Sequence, residues 1–228
     1  MGTTAHAHNY GDDIFTEADG HPDTLANLGP LAGMAGTWTS ADGRNVHPVG
    51  PGSDIQGEVI DGNEHSPFIE HYDLQPIDPQ TNGPQLFYGL RYHTHITRPG
   101  EVEMFHDQVG YWLWEPAAER VTLTLSIPRA QVVLASGPAT ADAKSFTVTA
   151  TRGSTSQGIV SNPFLEDKFT TVEFRMTVTI NDDGTWSYEE HTMMEMPDRP
   201  GLVDHEDRNT LHRIAPPTPN PLALADPD

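Results

Sequence analysis

Thr171-Val-Glu-Phe-Arg-Met-Thr-Val-Thr-Ile180, followed by Asn181-Asp-Asp-Gly184 and Trp186-Ser-Tyr-Glu-Glu-His191, is the stretch that sets the fold class. Val172, Phe174, Met176, Val178 and Ile180 alternate with Thr171, Glu173, Arg175, Thr177 and Thr179. A period of two puts one set on a buried face and the other on a wet face, which is the pattern of a strand. Asn-Asp-Asp-Gly tolerates a tight reversal, so the run from Trp186 is the second arm of a hairpin. The same alternation recurs at Val121, Leu123, Leu125 and Ile127, and at Phe146, Val148 and Ala150. Gly and Pro punctuate the remaining strands. A short helix fits only at Ala26–Ala35, where Gly29-Pro30 and Gly33 limit it. The expected class is all-β, with roughly ten short antiparallel strands in one domain, either a closed barrel or a sandwich. Alternation alone does not separate these two, but a barrel of about eight strands or more can enclose one small ligand.

The 228 residues carry 12 Lys and Arg against 33 Asp and Glu, a formal charge of −21. That excludes the basic footprint of a nucleic-acid binder and disfavours anionic membrane surfaces. The absence of cysteine removes disulfides, thiolate metal sites and thiol catalysis. The first residues show no basic and apolar leader pattern, and no apolar run approaches the ~20 residues of a membrane span. The expectation is a cytoplasmic chain that engages neither nucleic acid nor membrane. Residues 1–27 read as an extended polar arm, 28–214 as one β domain, and the Pro-rich 215–228 as a disordered or extended tail.

Candidate chemistry centres on the 12 histidines. Arg91, His93 and His95 share one face of a strand, so a metal pair at His93 and His95 competes with a plain polar outer face. His106, in Phe105-His-Asp-Gln-Val-Gly-Tyr-Trp112, either lines a pocket or packs beside a turn. In Asp204-His-Glu-Asp-Arg-Asn-Thr-Leu-His-Arg213, alternation sets His205, Asp207, Asn209 and Leu211 on one face. An inward His-x-Asp-x-Asn row is costly unless paired or ligand-bound, which makes it a candidate site; the alternative is a loop. Arg129, after Pro128 at the end of an apolar strand, is expected to be functional or tightly paired, and Asp204 or Asp207 could be its partner; the alternative is a solvated turn residue. No nucleophile elbow, phosphate loop or His-Glu-x-x-His motif is present, and the other carboxylates read as surface solvation.

Four motifs resemble the nitrobindin group, fatty-acid-binding-protein-like haem barrels that also form a domain of some THAP proteins. They are Leu28-Gly-Pro-Leu-Ala-Gly-Met-Ala-Gly-Thr-Trp38, the strand at Leu90-Arg-Tyr92, His106-x-Gln108-x-Gly110-Tyr111-Trp112, and the end Gly201-Leu-Val-Asp-His205 with Leu211-x-Arg213. The chain is more narrowly similar to a longer bacterial subgroup. It departs from the family at Thr39–Gly43, where a glycine repeat is replaced, at His47, where the family has Tyr, and in apparent insertions at 49–67 and 153–169. The resemblance implies a ten-stranded antiparallel barrel with one haem b near its mouth. His205 would be the iron ligand and Asp207 its polarising neighbour, with Asn209, Arg129 and His106 as further cofactor-binding residues and an apolar distal side. It also implies a small-molecule ligand such as nitric oxide and, if the protein is an enzyme, a haem-dependent isomerase turning peroxynitrite into nitrate. A homodimer stays open, and no catalytic residue is assigned. The alternatives are a haem-free barrel for an apolar molecule and a metal-dependent enzyme using His93, His95 or His106.

Overall fold

A computed structural model describes Tyr10 and residues 12–221. Among them run twelve strands: β1 (Gly36–Pro48), β2 (Glu58–Ile60), β3 (Asn63–Asn82), β4 (Gln85–Thr97), β5 (Met104–Glu115), β6 (Arg120–Ile127), β7 (Gln131–Pro138), β8 (Ser145–Thr151), β9 (Ile159–Ser161), β10 (Thr170–Ile180), β11 (Trp186–Glu195) and β12 (Leu202–Ala215). Ten of them form a ring in the order β1-β12-β11-β10-β8-β7-β6-β5-β4-β3. The ring closes because β3 pairs back onto β1, from Gly36↔Leu74 to Pro48↔Asn63. The choice between barrel and sandwich therefore resolves as a closed antiparallel barrel, which leaves no free edge in the ring. The short β2 and β9 add to β3 and β7 from the segments 49–67 and 153–169. No helix among the described residues is long and apolar enough to cross a membrane.

One end of the barrel is plugged. The helix expected at Ala26–Ala35 is in fact two short turns, α1 (Thr24–Asn27) and a 3-10 segment (Gly29–Met34). Gly29 breaks them apart with φ +55, and the Trp114 indole lies so close that a Cβ there would sit 2.5 Å from Nε1. Leu28, Leu31 and Met34 then drop into the core against Trp38, Trp112 and Trp186. The described part of the arm crosses this same end, where the His21 amide donates to the Tyr88 hydroxyl at 3.0 Å. Much of the expected arm and the last seven residues of the expected tail lie outside the described residues. The described part of the tail is without regular structure and is tethered by the Thr218 amide to Gln75 Oε1 at 2.7 Å.

Two bulges change which residues face inward. On β10 the alternation holds through Phe174, Met176 and Val178, all buried, but a register shift beside Val172 turns Thr171 inward instead. On β1 a shift between Ser40 and Gly43 inverts the phase set by Trp38. A bulge adds one residue to one strand, so every later side chain changes face. Past it Asn45 and His47 face inward and Arg44 faces out. Gly43 is required there, because a Cβ would come within 2.2 Å of the Phe68 ring.

Leu123 is fully buried on the inward phase of β6. Leu123→Ala is expected to lower stability by ~2–5 kcal/mol in urea unfolding, whereas a loss under about 1 kcal/mol would put β6 in the opposite phase. On the outer face, His191 Nδ1 meets Asp204 Oδ2 and Nε2 meets Glu189 Oε1, both at 2.8 Å. Burial pulls this imidazole down, but the two carboxylates together outweigh burial and hold its pKa above the ordinary histidine value. A pKa raised in the folded state gives stability that is full below the unfolded histidine value and fades as pH rises through the folded one. His191→Asn should therefore cost more stability near pH 5.5 than near pH 8.5, measured as the shift in unfolding midpoint at each pH.

Candidate ligand site

Three inward rows share one progression from core to cavity. On β11 it runs Trp186, Tyr188, Glu190, Thr192, Met194; on β12 Leu211, Asn209, Asp207, His205; on β3 Tyr72, Glu70, Phe68, Ser66, Glu64. Each begins in the packed core and turns polar at the same level. At that level lies Glu70, 2% exposed. Its Oε1 accepts from Thr94 Oγ1 at 2.9 Å, and its Oε2 accepts from Tyr188 Oη at 2.9 Å and Asn209 Nδ2 at 2.8 Å. Burial pushes the Glu70 pKa up, and the three donors only partly offset this. Burial likewise pushes the Tyr72, Tyr92 and Tyr188 hydroxyls up, so they stay neutral donors. Tyr92 Oη in turn accepts from Gln108 Nε2 at 2.8 Å.

Above this floor opens a cavity of about 670 Å³, within the usual range for small-molecule sites. One wall is apolar, with Leu125, Ile127, Val133, Phe174, Met194 and Met196. The other is polar, with Asn45, His47, Glu64, Glu190 and His205. Asp54, Arg98, Arg129 and Phe164 line the mouth, where Asp54, Arg129 and Phe164 are exposed. A smaller chamber of about 100 Å³ lies among Glu70, Glu190, Asp207, His205 and Met176.

His205 sits in the polar wall. Its Nε2 lies 2.6 Å from Asn45 Nδ2 and 3.4 Å from Asp207 Oδ2, while the same amide donates to Asp207 Oδ1 at 2.7 Å. Asn45 Oδ1 meets His47 Nδ1 at 2.6 Å, and His47 Nε2 lies 3.7 Å from Glu64 Oε2. Burial and the neighbouring His205 pull the His47 pKa down, and Glu64 and Asp207 oppose them without prevailing. Glu64 is 1% exposed; its Oε1 accepts from the Gln56 amide, and its Oε2 has no hydrogen bond among the described residues. Glu190 faces the cavity, and its pKa is pushed well up by burial, then by Asp207 and Glu70.

The expected site residues divide. His205, His106 and Arg129 all line the cavity, and Asp207 lines the inner chamber beside His205. Burial pulls the His106 imidazole down, so it is neutral. Asn209 lies beneath the floor, bonded to Glu70, and does not line the cavity. Arg129 is exposed at the mouth and makes no ion pair among the described residues, so the expected pairing with Asp204 or Asp207 does not form; Asp204 is taken by His191. His93 and His95 lie on the outer face, where His93 Nε2 meets Asp107 Oδ2 at 2.8 Å and the His71 and His95 rings are 5.0 Å apart. Among the described residues no group of three or more His, Cys, Asp or Glu is placed to hold a metal ion.

Sequence reasoning missed Asn45, Glu64, Glu70 and Glu190, because it read the carboxylates as surface solvation. The available signal was an acid in the apolar phase of a strand: Phe68-x-Glu70-x-Tyr72 and Trp186-x-Tyr188-x-Glu190. Asn45 gives no such signal, since the β1 bulge hides its phase.

The family model described as the THAP4-like, heme-binding beta-barrel domain matches residues 27–213. Among solved structures, the crystal structure of Rv2717c from M. tuberculosis is similar in fold, with a TM-score of 0.54 and 19% sequence identity over 84% of this chain and 97% of that one. No curated protein matches the chain. A family match over nearly the whole β domain, on a closed barrel with a His-bearing cavity, means that the chain belongs to the THAP4-like haem-binding β-barrel family.

Proposed function

We propose that the cavity binds one haem b, with His205 as the iron ligand. The observation that carries this reading is the His205 imidazole, which opens onto a cavity of about 670 Å³ whose other wall is apolar, in a chain of a haem-binding family. The residues present fit the group. Imidazole is a common iron donor, the Met, Leu and Phe wall suits a flat apolar ring, and Arg98 and Arg129 at the mouth suit carboxylate side groups. Bound haem would supply an iron with an open position for nitric oxide or for peroxynitrite, whose isomerisation to nitrate is the reaction this reading extends to.

The chain's own residues fix the imidazole. The Asn45 amide donates toward Nε2, so that nitrogen holds its lone pair and the neutral ring carries its proton on Nδ1. Asp207 accepts from the same amide and so holds it beside the ring. Were Nε2 to hold iron, the Asn45 amide would give up that contact and keep Asp207 as its acceptor.

A haem-free carrier for an apolar molecule is the second reading, favoured by the same apolar wall and by a His205 Nε2 that already has a partner. Titration with hemin separates them. Wild type is expected to show a saturable one-to-one Soret band. His205→Ala should lose most of it while keeping the β circular-dichroism spectrum, and His93→Ala and His106→Ala should largely retain it. A native haem spectrum in the His205 variant would show that another residue is the ligand. No specific band in wild type would end the haem reading in favour of the carrier.

A further inference from the structure

The cavity is charged unevenly, and this constrains how a ligand sits in it. Three carboxyls, Glu70, Glu190 and Asp207, converge on its inner end. No Lys or Arg side chain accompanies them there except Arg129, which reaches the chamber from the exposed mouth. His106, which faces the same space, does not neutralise them, since burial keeps it uncharged. The acids crowd one another: burial and the neighbouring carboxylates drive Glu190 toward its protonated form. Three carboxyls converging on one buried space resist a further anion. Farther out on the same wall, Glu64 Oε2 is buried with no hydrogen bond among the described residues. Arg98 stands at the other end, and Arg129, exposed at the mouth, lines both spaces. Arg129 is unpaired among the described residues, and Arg98 lies 5.1 Å over the Phe105 ring and 3.6 Å from Glu101. Asp54 shares the mouth but is exposed, so water screens it.

We infer that this polarity orients amphipathic ligands: anionic groups stay at the arginine mouth, and only an uncharged or cationic end enters toward His205 and the acidic floor. The inference rests on the reading that this cavity is the ligand site, but it does not require that the ligand be haem. It sets a class of ligand, an apolar body whose negative charges are gathered at one end. It also sets a rule for small molecules that reach the inner end, which enter neutral.

The test uses haem-free protein and displacement of an uncharged fluorescent naphthylamine. The competitors are three rigid biphenyl carboxylates whose far para position carries a carboxylate, a hydroxymethyl or an aminomethyl group. The carboxylate at the near end is common to all three, so only the inner end differs. An apolar pocket without this polarity rejects the charged ends alike. The inference expects the aminomethyl compound to bind more tightly than the dicarboxylate by on the order of tenfold or more, with the hydroxymethyl compound between them. In Glu190→Gln/Asp207→Asn the dicarboxylate should recover most of that gap. Asp207→Asn alone, checked by circular dichroism, should show a smaller gain and stands in if the double variant does not fold. Equal rejection of both charged ends, a dicarboxylate that binds as well as the others, or no displacement by any of the three would overturn the inference. A wild type that shows the predicted order but no Soret band with hemin would keep this inference and discard haem as the ligand.

Discussion

A carboxylate on the axis of a barrel must be answered from several strands at once, and Glu70 is answered from three. Thr94 on β4, Asn209 on β12 and Tyr188 on β11 all donate to a group carried by β3. An unmet charge in a low-dielectric interior is costly, so this arrangement holds four strands in a single register across the β1–β3 closure. It also divides the molecule. Below it three tryptophans, Trp38, Trp112 and Trp186, pack against the 3-10 plug with no exposed surface. Above it the inward side chains become polar on one wall, and polar groups that need partners do not close into a dry core. The cavity is the space they leave.

Much of this was legible in the chain. Period-two runs at Val121–Ile127, Phe146–Ala150 and Phe174–Val178 gave strands in the right phase, and ordered family motifs resolved a barrel where alternation alone left a sandwich open. What stayed hidden shares one physical cause. A bulge changes phase without changing composition, so the apolar pattern around Trp38 predicts Arg44 inward, where the structure has Asn45. The 3-10 segment is a second case: Gly29 at positive φ answers to the Trp114 ring, a tertiary neighbour no local rule can supply.

The net charge of −21 was read as a repelling surface, and for most carboxylates that holds. Glu64, Glu70, Glu190 and Asp207 are different because they occupy the inward phase of strands that begin in aromatic core. Position within the alternation, not frequency in the sequence, separates a solvating acid from one that shapes a site. The same distinction applies to histidine. His93 and His95 fall on the wet phase of β4, and His205 on the inward phase of β12. Residues of the same type thus have different chemistry available to them, although each was a candidate from its neighbours alone.

The segments 49–67 and 153–169 bear on how a ligand reaches this site. Both lie at the open end: Asp54 comes from the first, and α2 (Pro163–Lys168) with its flanking residues brings Phe164, Leu165 and Phe169 from the second. The second is held at its root. Asn162 accepts from the Phe164 and Leu165 amides at 2.8 and 3.1 Å as the helix cap, and its own amide donates to the Arg129 carbonyl in the β6–β7 turn. One side chain thereby fixes the start of α2 relative to the strand end that carries Arg129, and the Arg152–Glu166 pair holds the other side. A cap of this kind is worth about 1 kcal/mol, enough to set the direction of a six-residue helix that could not persist alone. The apolar lip and the arginine of the mouth are therefore placed by the same residue. A ligand meets a mouth of fixed composition, apolar on one side and cationic beside it, before it meets the acids within.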